Sequence, residues 1–538
     1  MAAVTMRWPE AHARRGMVCS PHRLASEAGI AAIESGGNAL DAAVAAAITI
    51  AVVYPHMTGI GGDSFWLIWD ASARRLLALN AAGRAASAAT LEVYRQRHGD
   101  AIPSRGGPAA LTAPGAVSGW WETHLYSRGR LGSPVRWTGL FDHALAHARD
   151  GFPVSPGQRR VTALATDLFT GVPAPEIRET VWRRYHPERL GEHIRQPELG
   201  ETLAHVAAGG ADEFYRGALG RRIADAAGRH GSPLTAADFA AHRADWVEPI
   251  RLAYREGEAA SFPPPTQGFA ALAILGLLEG FDLAGVEDAE RVHLTVEATK
   301  LAFEDRDRYL TDPTVVPVPV DRCLDRGRLA ERRTRIGASA AVTAPGAAAK
   351  GDTIAIVTAD ARGNAVTVIQ SLYHEFGSGV IAGDTGVLLQ NRGAFFSLDP
   401  AHPNCLAPGK RTAHTLVPSM FFRDGRPRIA YGTMGGEGQP QTQAALITGM
   451  VDRGLGPQAA IEAPRWLYGR TWGEASKALR VESRFSPATL DALRTRGHDV
   501  KVVDPWSDLM GHAQVIALDD DGLRGGSDPR ADGAAVGC

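Results

Sequence analysis

The chain has 538 residues, 45% hydrophobic and 22% charged, with a formal charge of −2 and a pI near 6.8. This is the makeup of a globular protein with a sizeable core, which excludes a fibrous or disordered chain; with no broad basic surface, the expected partner is a small molecule and not a nucleic acid. Four scattered cysteines, Cys19, Cys323, Cys405 and Cys538, form no CxxC pair or dense framework, which excludes a zinc cluster or disulfide scaffold and fits a reducing compartment.

The opening, MAAVTMRWPEAHARRGMV, has no continuous apolar stretch behind its arginines, so a cytoplasmic protein without a secretory leader is expected. Apolar residues at helical spacing over 22–34 predict a helix that Ser35-Gly36-Gly37-Asn38 breaks. The run 39–54, ALDAAVAAAITIAVVY, is shorter than the ~20 apolar residues of a membrane span and contains Asp41. It predicts a buried helix ending at Tyr54-Pro55, and no membrane association. A glycine loop, 58–63, then leads into strand-like runs over 65–70 and 74–80, which read as a hairpin. That loop lacks the Lys-Ser/Thr of a phosphate loop and follows a helix, so nucleotide binding is not expected. Helices are expected from there to about residue 330. His143 and His147 stand at i, i+4 on one of them, but without an HExxH glutamate or a third ligand they read as a solvated face. No metal or other cofactor is expected.

From Arg332 to Lys350 the composition turns to small residues and charges without apolar period, which predicts an exposed connector. Directly behind it, TIAIVTAD, a turn at Ala-Arg-Gly-Asn and AVTVIQSLY predict a second hairpin. If its turn centres on Arg362-Gly363, Thr353 lies opposite Ser371 or Leu372; a slip of one residue would send Ser371 to the other face. Strand-like pieces follow at 386–391, 419–423 and 428–434, then a helix from Gln441 to about Arg453. Many strands with helices outside them predict an α+β fold rather than alternating βαβ units. No internal repeat of 20 to 50 residues is present.

Several segments in shared order resemble the γ-glutamyltranspeptidase family from about residue 15 to the C-terminus. They are GGNALDAAVAAAITIAVVYPHMTGIGGD (36–63), TAPGAVSGW (112–120), FPPPTQGFAALAILGLLEGFDL (262–283), HLTVEATKLAFEDRDRYLTDP (293–313), GDTIAIVTADARGNAVTV (351–368), APGKR (407–411), GTMGGEGQPQTQAAL (432–446) and GGSDPRADGAA (525–535). The resemblance implies a four-layer αββα sandwich of the N-terminal nucleophile type. It further implies a precursor that cuts itself between Asp352 and Thr353, into a large chain 1–352 and a small chain 353–538 that together form one composite domain. A heterodimer of those chains follows, with pairing of two heterodimers left open. Chemistry makes the same demand: a hydroxyl is a poor nucleophile at neutral pH, and cleavage creates beside it an α-amino group, of reference pKa ~8, that can act as its base.

By the same resemblance Ser371 stands where the family has a threonine bonded to the nucleophile. Gly435 and Gly436 match the glycines of its oxyanion hole, where N–H groups must approach an oxyanion with no Cβ in the way. The family's α-ammonium cage is lost: its Asn, Gln and Asp positions carry Tyr373, Arg392 and Phe395. A site with an arginine and aromatic rings suits an anion better than a cation. His414 and Thr415 replace paired serines at the substrate carboxylate, and Arg84 lies two residues beyond the position of the family's large-chain arginine. SLYHEFGSG (371–379) and QNRGAFFSLDP (390–400) resemble the oxamate amidohydrolase branch, which implies a small amide acid as substrate; γ-glutamyl transfer or hydrolysis, or a dicarboxyl-side-chain acylase, is the alternative. His374 and Glu375 read as loop-shaping residues.

Overall fold

A computed structural model describes residues 8–168, 175–186, 192–342, 352–469 and 476–538. The expected connector falls inside this range only to residue 342; its remainder, through residue 351, lies outside the described residues. Two seven-stranded antiparallel sheets form the centre. The first runs, in spatial order, Ala534–Gly537, Gly16–Ser20, Asp352–Asp360, Ala365–Tyr373, Asp63–Asp70, Arg75–Ala81 and Asp245–Val247. The second runs Ala11–Ala13, Leu523–Ser527, Ala513–Leu518, Arg426–Thr433, Ser419–Arg423, Gly257–Ser261 and Ile250–Tyr254.

Strand alternation sorts the side chains into layers. Phe65, Leu67, Ala355, Val357 and Ile369 of the first sheet meet Met420, Phe422, Ala430 and Ile516 of the second in one buried cluster. Their neighbours Trp66, Ile68, Ile354, Ile356, Val366 and Val368 point the other way, onto the helix Ala39–Val53. On the far side of the second sheet, Tyr254, Phe421, Ile429 and Val515 pack with residues of the helices Gly268–Leu278, Asp288–Tyr309 and Gln439–Ile447. Helix, sheet, sheet, helix is the four-layer order, and each fully buried aliphatic side chain in it contributes ~1.5–3 kcal/mol.

All fifteen residues of Ala39–Val53 are buried, and the polar residues at its start explain why it begins where it does. Asn38 Oδ1 accepts from the Leu40 and Asp41 N–H groups and Asp41 Oδ2 accepts from Asn38 N, a reciprocal cap. The next donor, Ala39 N–H, goes to Asp360 Oδ2 at 2.9 Å. Asp360 also accepts from Arg362 N, Asn364 N and Asn364 Nδ2, so one carboxylate closes the turn of the hairpin and ties it to the helix. Register at the open end, where Thr353 lies, is thereby set from the closed end. Among the described residues no helix is long and apolar enough to cross a membrane.

Two expectations are corrected. Residues 386–391 form no strand: after Gly386 at φ 69° the chain makes only single bridges, Ile381 to Leu388 and Gly61 to Leu389. The stretch expected to be helical to about 330 contains the hairpin Ile250–Tyr254/Gly257–Ser261. The helix expected from Gln441 to about Arg453 is present, as Gln439–Ile447 continued by a π-helical turn over Thr448–Asp452.

Candidate active site

The first sheet's central hairpin pairs Asp352 with Tyr373 and then Ile354 with Gln370, so the register shifts by one across Thr353. Two residues, Ser371 and Leu372, therefore stand opposite the single Thr353, a β-bulge on the Ser371 strand that breaks the regular ladder beside the Thr353 hydroxyl. Its buried hydroxyl donates to Ser371 Oγ at 3.3 Å, and Ser371 Oγ also accepts from Tyr373 N at 2.7 Å. Ser371 therefore lies on the expected side of the strand, within reach of Thr353. As a positioning contact to a reacting group it is worth ~1–3 kcal/mol, so Ser371→Ala should slow both chain cleavage and turnover roughly tenfold, and Ser371→Thr should restore both. Unchanged cleavage and turnover in Ser371→Ala would remove Ser371 from the machinery.

The glycine loop before the first hairpin exists for packing. A Cβ on Gly62 would stand 2.2 Å from the Ser371 carbonyl oxygen, and one on Gly61 2.2 Å from that of Leu388. Larger residues would push the floor away from Ser371.

Strand Arg426–Thr433 of the second sheet crosses the hairpin, where a Cβ on Gly432 would lie 3.1 Å from Ala355 Cβ. It ends in the glycine pair, with Gly435 at φ 127° and Gly436 at φ 52°, followed by a 3₁₀ turn and the helix Gln439–Ile447. This is the strand-to-helix corner expected from sequence. Gln267 Nε2 bridges the carbonyl oxygens of Gly436 and Thr415, both at 2.9 Å, and so fixes the corner against the segment that carries His414 and Thr415.

Beyond Ser371 lies a buried polar group. Arg392 is 1% exposed, and none of its three guanidinium nitrogens has a hydrogen-bond partner; its Cζ stands 4.0 Å from the centroid of the Tyr373 ring, which Phe395 also meets. Burial pulls its pKa down to about 10, partly offset by Tyr373 and Asp63. His414 Nε2 is 3.6 Å from Asp63 Oδ2, and both its ring nitrogens lack hydrogen-bond partners. Burial first, then Arg392 and Arg411, hold it well below the usual histidine range. Thr415 Oγ1 is likewise buried without a partner. Asp63 pairs with Ser371 in register, and burial pushes its carboxyl up to about 7.

Arg84 is not in this group. Its guanidinium reaches the Gly409 carbonyl at 3.2 Å, Asp245 at 3.5 Å and Asp312 at 3.7 Å, with a side chain 41% exposed. His374 and Glu375 hold a loop: Asn391 Nδ2 donates to His374 Nδ1, and Glu375 pairs with the buried Arg105 at 3.1 Å. The chain leaves strand geometry at Tyr373, φ 83°, so strand parity no longer applies to them. Asp63, Gln267 and Arg105 were not predicted; the first two sit inside the resembling segments, which is the only signal they give.

Among the described residues one cluster of metal-ligand type, His293, Glu297 and His498, lies elsewhere. His293 Nδ1 and His498 Nε2 share a hydrogen bond at 2.9 Å, and Glu297 accepts from Lys300 Nζ and Ala341 N. Its atoms are engaged with one another, with Lys300 and with Gly337 and Ala341.

The family profile described as gamma-glutamyltranspeptidase matches residues 25–538. A glutathione hydrolase-like YwrD proenzyme of Bacillus subtilis is 46% identical over 524 residues, 97% of this chain and 98% of that protein. An oxamate amidohydrolase proenzyme of Klebsiella pneumoniae is 46% identical over 525 residues, with the same coverage. In structure, a cephalosporin acylase from Bacillus halodurans superposes with a TM-score of 0.90 at 35% identity, covering 99% of this chain and 98% of that one.

Proposed function

The chain belongs to the γ-glutamyltranspeptidase family, as an amidohydrolase of it, and from that premise we propose that it cuts itself before Thr353 and then hydrolyses a small amide acid, oxamate being the leading candidate. The observation that carries the substrate reading is the buried Arg392 with no hydrogen-bond partner. A buried guanidinium is costly unless an anion completes it, and a carboxylate matches its two-pronged fork. Tyr373 and Phe395 wall the site with rings and supply no carboxylate for a substrate ammonium.

In this reading Thr353 Oγ attacks the amide carbon while the new α-amino group takes the hydroxyl proton, and the N–H groups of Gly435 and Gly436 stabilise the oxyanion. The α-ammonium returns the proton as ammonia leaves. Water then opens the oxalyl ester of Thr353, so oxamate and water give oxalate and ammonium. His414 and Thr415 offer further polar contacts beside Arg392. The working enzyme is a heterodimer of 1–352 and 353–538, and its four free cysteines support a cytoplasmic location.

Ammonia release from oxamate, set against cleavage of γ-glutamyl and glutaryl anilides by the same processed enzyme, tests the substrate. Oxamate should exceed the γ-glutamyl anilide in kcat/KM by at least roughly a hundredfold, since that substrate would bury its ammonium without a partner. A preference for the γ-glutamyl anilide would replace this reading with glutathione-type hydrolysis.

A further inference from the structure

We propose that Asp63 is a proton-accepting counterion of the substrate site: it faces Arg392 and His414 as an anion in the free enzyme and takes up one proton from solvent when the substrate carboxylate enters. The inference rests on the carboxylate reading of Arg392 and adds how the buried site accommodates the incoming charge.

The geometry divides the Asp63 carboxylate into two ends. Oδ1 is fully engaged, accepting from Gly83 N at 2.9 Å and Gln390 Nε2 at 3.0 Å. Oδ2 is buried with no hydrogen-bond partner and faces His414 Nε2, 3.6 Å away, itself without one. A proton added to Asp63 therefore goes on Oδ2, where a neutral imidazole nitrogen stands ready to accept the new O–H. Nothing else in the strand Asp63–Asp70 needs that oxygen. The cross-strand partner of Asp63 is Ser371, which places the titrating group one strand from the nucleophile's own contact.

Charge explains why the proton must come. The groups acting on Asp63 are Arg392 beside Gln390, His414 and Arg411 from the segment 411–415, and Tyr215 at the end of the helix Pro197–Tyr215. Tyr215 is buried and its hydroxyl is pushed up, so it stays neutral; His414 is neutral as well. Arg411 already pairs with Asp245 at 2.7 Å. With the α-amino group of Thr353 neutral, as its role as base requires, that leaves Arg392 and Asp63 as the opposite charges of the free site. A second anion arriving at Arg392 would leave one negative charge uncompensated in a dry cavity, and a group poised near neutrality is the one that yields. The balance is simple: substrate carboxylate, one solvent proton and the Asp63 carboxylate become bound carboxylate and Asp63 carboxylic acid, with no bond to carbon changed.

The sign follows. With Asp63 pushed up to about 7 in the free enzyme, binding at pH 8 draws a proton from the buffer, and affinity falls roughly tenfold per pH unit above that value until the bound form itself ionises. The test is calorimetric titration of the processed wild-type enzyme with pyruvate, a monoanion shaped like oxamate but lacking a cleavable amide, at pH 8 in phosphate and in Tris. Expected is a heat difference matching uptake of close to one proton per pyruvate. Asp63→Asn should bind pyruvate with equal heats in the two buffers and an affinity flat from pH 6 to 9. Equal heats for the wild type overturn the inference and leave the carboxylate reading standing. Uptake retained by Asp63→Asn assigns the proton elsewhere, the α-amino group of Thr353 foremost, and also overturns it. No binding to the wild type removes the carboxylate reading and this inference together.

Discussion

A Thr353→Ala protein is expected to remain one undivided chain of 538 residues and to lose amide hydrolysis by at least ~10³-fold. This hydroxyl stands opposite the bulge formed by Ser371 and Leu372, near the start of its strand, and the peptide that precedes it belongs to Asp352. Both reactions assigned to the residue use the same oxygen: attack on its own preceding carbonyl in the precursor and attack on substrate afterwards. Loss of the hydroxyl removes the nucleophile from the first and the second alike, while loss of cleavage also withholds the α-amino base. Thr353→Ser keeps an oxygen in place and should still be cleaved, at a reduced rate. Efficient cleavage of Thr353→Ala, measured by denaturing electrophoresis, would end the assignment.

Replacing Arg392 should have the next largest effect. Two charge-assisted hydrogen bonds to a substrate carboxylate are worth about 3 kcal/mol together, so Arg392→Met should lower kcat/KM for oxamate roughly a hundredfold. Lysine restores the charge without the fork, which sets the order wild type, Arg392→Lys, Arg392→Met. Thermal stability separates binding from structure. The guanidinium makes no hydrogen bond and its burial is unfavourable, so at pH 6, where Asp63 is protonated and needs no counterion, Arg392→Met should melt no lower than wild type. If Arg392 instead supported its loop, methionine and lysine would behave alike in turnover, and methionine would melt lower.

Much of this arrangement is legible in the residues. The hairpin behind the connector could be placed to within one residue because period-2 runs flank an Asp-Ala-Arg-Gly-Asn turn, and Asp360 fixes that turn as the spacing requires. What spacing could not supply was the bulge at Thr353, which depends on Asp352 pairing with Tyr373 after the regular ladder has ended. The hairpin 250–261 was hidden because RLAYREGEAAS is rich in Arg, Ala and Glu, residues with poor strand propensity that here complete a sheet edge. Conversely, 386–391 has strand-like composition but serves as buried packing behind the glycine loop. Arg84 illustrates the limit of matching by position: its neighbours Asp245 and Asp312 are far away in sequence and claim it. Asp63 gave no sign of its role, because its partners come from three separate segments around residues 83, 390 and 414.

Intact-mass and N-terminal sequence determination on the purified wild-type protein tests the central claim most directly. The account predicts two chains that separate only on denaturation, the smaller ending at Cys538 and opening Thr353-Ile354-Ala355. A single active chain, or a small chain opening at any other residue, would contradict it.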